Sequence, residues 1–136
     1  MKKITIVLVI LLILVFANVK KADTKENKKP HISLEEQLKT APDKDKAKIL
    51  NKLGTKHIND EEVKIVYKYS TQALDLARKH KQWEQELLAL RNLSLYFGRV
   101  ENDDKELYHI DLMLIKAKKF QLKNYKYQAL SHLAHI

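Results

Sequence analysis

Apolar positions along the chain form one unbroken run and then a long series of helical stripes. Ile4 to Val19 is aliphatic or small throughout (ITIVLVILLILVFANV) behind Lys2 and Lys3. From Ser33 onward the apolar side chains instead recur at i, i+3 and i+4, the spacing of one helix face. Ser33 with Glu36 matches a capping box and predicts a short helix, SLEEQLKTA, stopped by Pro42. Asp43 is placed to cap a second helix to about Ile58, with Ala47, Leu50, Leu53, Gly54 and His57 on one face and Asn59 and Asp60 breaking it. From Glu61 to about His80, the residues Val63, Val66, Tyr67, Ser70, Ala73, Leu74 and Ala77 make a continuous stripe. Trp83, Leu87, Leu90, Ser94 and Phe97 line the next helix. After a break at Asn102 and Asp103, Leu107, Ile110, Leu114 and Ala117 stripe another, and Tyr125 to Ile136 begins one more.

The stripes repeat at 40 residues: Leu50, Leu53 and Gly54 recur as Leu90, Leu93 and Ser94, then as Leu130, Leu133 and Ala134. A fixed period of this size is the signature of stacked units, since one unit alone cannot bury its apolar face. The expected fold is therefore all-α, a helix-hairpin solenoid over residues 33–136, with pairs at about 43–80 and 82–122 and a half repeat at 124–136. The small residues Gly54, Ser94 and Ala134 mark where two helices of a pair come closest, and Ala77 and Ala117 form a second small series. Ending at Ile136, the series predicts an interrupted third hairpin, expected of a truncated chain or of one whose last helix docks on a partner.

These positions resemble the tetratricopeptide repeat family. Its first-helix set of Leu, a small residue and an aromatic looks like Leu53, Gly54 and His57, repeated as Leu93, Ser94 and Phe97, with Ala73 and Leu74 matching the second helix. The period of 40 rather than 34, histidine at 57 and Met113 at the place of Ala73 depart from the family pattern. Longer repeats of this kind are similar to the exported sensory regions of bacterial membrane-bound histidine kinases. The resemblance implies a repeat-packing set of Leu53, Gly54, Ala73, Leu74, Leu93, Ser94, Phe97, Leu133 and Ala134. It also implies a peptide groove lined by the outward first-helix positions Asn51, Thr55, Arg91, Leu95, Ser131 and His135, with Arg99 one turn further. Arg91 and Arg99 would meet a carboxylate or acidic peptide.

The leader fits a signal segment, because 16 apolar residues span only about 24 Å as a helix, against roughly 30 Å of hydrocarbon. Residues 1–19 are thus a cleaved signal peptide or a retained anchor in contact with the membrane through 4–19. Residues 20–32 read as a lysine-rich flexible linker. This places the protein outside the cytoplasm, periplasmic or attached to the inner membrane.

Two glycines, two prolines and no cysteine in 136 residues agree with an all-helical chain and exclude disulfides and thiolate metal sites. The net charge of +9 loses much of its meaning once located. Seven of the 26 basic residues precede Pro30, leaving 19 basic against 15 acidic in the array, without the clustered basic and aromatic stripe of a nucleic-acid binder.

His132 and His135 are the one histidine pair at helical spacing and lack a third ligand, so neither metal nor cofactor is expected. Glu35 with Glu36, Glu61 with Glu62 and Asp103 with Asp104 stand at helix starts, where they complement the macrodipole. No phosphate loop or nucleophile elbow is present in the sequence. The expectation is an exported, non-enzymatic module binding a protein or peptide, the sensory or scaffold part of a signalling protein, with self-association through its open C-terminal face. The alternative is a structural or assembly factor tethered by an uncleaved N-terminal helix.

Overall fold

A computed structural model describes residues 32–136; the leader, most of the linker and the choice between signal and anchor lie outside the described residues. The described residues form six helices and no strand: α1 (Leu34–Thr40), α2 (Asp43–Lys56), α3 (Lys64–Lys79), α4 (Trp83–Arg99), α5 (Asp103–Lys119) and α6 (Lys123–Leu133). Among them no helix is long and apolar enough to cross a membrane.

Ser33 caps α1 as a complete capping box, its hydroxyl accepting from the Glu36 N–H while the Glu36 carboxylate accepts from the Ser33 N–H. Asp43 behaves differently from expectation. Pro42 is the N-cap of α2, and the Asp43 carboxylate instead accepts from Lys79 Nζ at 2.7 Å and His80 Nε2 at 3.2 Å, tying the start of α2 to the end of α3. These two donors, above all Lys79, hold the Asp43 pKa down to about 2.

The last three connections share one turn, repeated every 20 residues. Lys81, Glu101 and Gln121 have φ of 54°, 54° and 57°, in the left-handed region that follows a helix end. Behind each, the next N–H reaches six residues back: Gln82 to Ala77 O at 2.8 Å, Asn102 to Phe97 O at 2.9 Å, and Leu122 to Ala117 O at 2.9 Å. This is the Schellman pattern, in which the residue closing one helix is already the N-cap of the next. The 40-residue echo therefore contains a 20-residue step of helix plus turn. Residues 57–63, between α2 and α3, do not follow it.

Each helix packs on its successor, and α2 also touches α4. The core runs through Leu50, Ala73, Leu74, Leu87, Leu90, Leu93, Phe97, Ile110, Met113 and Ala117, with Leu53, Val66 and Ala77 also buried. Each large side chain so buried contributes about 1.5–3 kcal/mol. Gly54 lies where α2, α3 and α4 meet: a β-carbon there would stand 2.9 Å from Ser70 Oγ and 3.2 Å from Asn92 Nδ2.

Several expected core positions shift. On α5 the buried line is Glu106, Ile110, Met113 and Ala117, so Leu107 is exposed and Leu114 only half-buried. Tyr67 is exposed, with its ring against Tyr96 and edge-on to Phe97. Trp83 stacks on Phe120 at 4.3 Å near the surface. Leu133 is half-buried, and Ala134, the C-cap of α6, is exposed because no described helix covers that face.

Candidate functional site

Four of the seven groove residues expected from the sequence converge on one cleft. Arg91 and Leu95 from α4, Met113 from α5, and Gln128, Ser131, His132 and His135 from α6 enclose about 320 Å³. The turn at Gln121 sets this arrangement, because it carries the chain from α5 directly into α6 and brings α6 beside α4. Met113 supplies a buried apolar floor and Leu95 a half-buried apolar wall. Arg91 is half-buried, and among the described residues no carboxylate lies within 4 Å of its guanidinium. Tyr125 shares the field of Arg91; burial raises its phenol pKa, Glu84 adds to the rise and Arg91 opposes it.

The other three candidates sit elsewhere. Asn51 is fully buried, its amide donating to Gln85 O at 2.8 Å and to Gln85 Oε1 at 3.1 Å. The α2 to α4 contact covers the position that an outward groove residue would occupy. Thr55 donates to Asn92 Oδ1 at 3.3 Å across the same contact. Arg99 is committed to the backbone of the irregular 57–63 turn, donating to Ile58 O and to Asp60 O. The paired-arginine groove expected from Arg91 and Arg99 is therefore not formed; Arg91 alone faces the cleft.

Beneath the cleft runs a polar line that the sequence does not announce. Glu106, 7 % exposed, meets His132 Nε2 at 2.7 Å, and His132 Nδ1 lies 3.3 Å from Ser94 Oγ. An ionised carboxylate only accepts, so Nε2 carries the proton. The Ser94 hydroxyl then donates either to His132 Nδ1 or to Arg91 O, 2.8 Å away, and the line stays joined with His132 neutral or charged. The order serine, histidine, carboxylate is that of a nucleophilic relay. Ser94, however, is buried inside α4, where flanking N–H groups are spent on i−4 carbonyls and none is left to hold an oxyanion. His132 was visible in the sequence only through its spacing to His135; its tie to Glu106 needed the α5 register. Among the described residues no cluster of three metal-ligating side chains is found.

A second opening of about 510 Å³ lies between α1, α2 and α3, over Leu38, Leu50 and Leu76. Its rim charges are balanced, Lys39 and Lys46 against Asp43 and Asp75, so it has no electrostatic preference comparable to that of Arg91. No family model, no curated protein and no solved structure matches the chain.

Proposed function

We propose that this chain is a non-enzymatic protein-binding module, a tetratricopeptide-like helical solenoid presented outside the cytoplasm behind its apolar leader, whose α4 to α6 cleft holds an acidic peptide segment. The observation that carries this reading is the position of Arg91: a half-buried guanidinium without a described carboxylate partner, beside the apolar surface of Met113 and Leu95. A desolvated arginine prefers a bidentate anion, and a peptide carboxylate next to an apolar side chain matches both walls. The repeated turns support the solenoid, because each helix enters the next at the same 20-residue step. The export half of the reading rests on the leader sequence.

The test is binding of fluorescent acidic peptides, with lysine-substituted versions as controls, to wild type and Arg91→Ala. Loss of one charge-assisted contact, about 1.5–3 kcal/mol, should weaken acidic peptides by roughly tenfold or more and leave controls unchanged. Equal binding by both proteins would remove Arg91 from the reading. N-terminal sequencing of the mature protein checks export, since a start near Asn18 or Lys20 marks a cleaved leader and an intact Met1 the tethered alternative.

A further inference from the structure

The stripe that α2 and α4 bury lies open on α6. In α2, Gly54 shows where that stripe points, because its missing β-carbon leaves room for Ser70 of the following helix. Ala47, Leu50 and Gly54 are buried, and so are their equivalents Leu87, Leu90 and Ser94 on α4. On α6 the same three positions are Tyr127, 66 % exposed, Leu130, 42 % exposed, and the exposed Ala134. This arc is distinct from the cleft, which α6 lines with Gln128, Ser131, His132 and His135. It repeats the small residue at the point of closest approach, so its shape suits a helix rather than a loop or a flat surface.

Charge selects the occupant. Residues 30–111 carry 14 basic and 15 acidic side chains, whereas residues 112–136 carry five lysines and no acid. Lys123 and Lys126 stand one turn before Tyr127 and Leu130, flanking the open stripe. A second copy of α6 would set these lysines against their own equivalents. We infer that the Tyr127, Leu130 and Ala134 face docks an amphipathic helix of another protein, one with acidic residues flanking its apolar stripe. The site is independent of the Arg91 cleft.

The probe is a labelled helical peptide with leucines at i, i+3, i+4 and i+7 and glutamates on both flanks, compared by anisotropy with its lysine-flanked twin on the full chain. Leu130 is exposed, so Leu130→Glu keeps the fold, which far-UV circular dichroism verifies. The acidic helix should bind, weaken at least tenfold with Leu130→Glu and with rising salt, and be unaffected by Arg91→Ala. Three results would each overturn the inference: equal binding of the two peptides, loss of binding through Arg91→Ala in place of Leu130→Glu, or a wild-type dimer in sedimentation that Leu130→Glu dissociates. Recruitment of the chain to anionic vesicles that Leu130→Glu abolishes, without peptide binding, would reassign the face to lipid.

Discussion

Gly98 and Glu106 share one space: a β-carbon on Gly98 would stand 2.6 Å from Glu106 Oε1 and 2.8 Å from its Cδ. Glu106 is an end of the Ser94 and His132 line, so the missing side chain on α4 permits the carboxylate to enter from α5. Glycine near the end of a helix has its own cost, up to about 1 kcal/mol relative to alanine. The effect of Gly98→Ala should therefore change sign with position 106. In wild type it displaces a pinned carboxylate and should destabilise by about 1–2 kcal/mol. In a Glu106→Ala background it should stabilise by a few tenths to about 1 kcal/mol. Urea denaturation of the four proteins measures this, and one sign in both backgrounds would refute the shared space.

The three left-handed turn residues are lysine, glutamate and glutamine, side chains that disfavour a φ near 54–57°. Lys81→Gly, Glu101→Gly and Gln121→Gly should each raise stability by about 0.5–1 kcal/mol, roughly additively because the turns are separate. Thermal melts of single and triple variants check this. A drop in melting temperature at any of the three would mean that the turn is not left-handed there.

Much of the helix content was legible because Leu, Ala and Val recur at helical spacing, and the capping box at Ser33 and Glu36 needs only local geometry. The 20-residue step was not legible, since its signal is a backbone conformation adopted by three unlike residues rather than by glycine. Nor was the α5 face. A glutamate at 106 reads as polar surface until Gly98 opposite makes room for it, so the apolar Leu107 drew the expected stripe one residue round. Of the groove, Arg91, Leu95, Ser131 and His135 followed from the repeat, while Asn51 failed because the direct α2 to α4 contact covers it. Arg99 failed because a loop of unpaired carbonyls claims it.

His109 should make stability fall on mild acidification. Its Nδ1 donates to Lys105 O at 2.6 Å and its ring stacks on Phe97 at 5.1 Å. Burial, the largest influence, holds its pKa below the ordinary histidine value, with Arg78 and Lys105 adding to the lowering against the carbonyl bond that raises it. The unfolded chain thus binds a proton more readily than the folded one. The contribution is complete above about pH 6.5 and is lost as pH falls through the lower folded value. Denaturation midpoints between pH 7.5 and 5 should fall less steeply in His109→Phe than in wild type. Parallel slopes would show that His109 is not held neutral.

Glu86 is the most deeply buried charge described, 1 % exposed, with Arg78 Nε at 3.0 Å and Lys116 Nζ at 2.9 Å on the same carboxylate oxygen. It ties α3, α4 and α5 together, yet it carries the desolvation cost of any buried ion. Two substitutions separate these roles. Glu86→Leu removes charge and cost together at similar volume, and should leave stability within about 1 kcal/mol of wild type, because both cations reach solvent. Lys116→Met keeps the buried carboxylate but leaves it one cation, and should cost about 1–3 kcal/mol. In the Glu86→Leu background the same Lys116→Met change should cost almost nothing, since no anion remains to be stranded. A double-mutant cycle from guanidinium denaturation reads the difference as a coupling energy. If Lys116→Met costs the same in both backgrounds, Glu86 is paired through Arg78 alone and the three-helix tie does not exist.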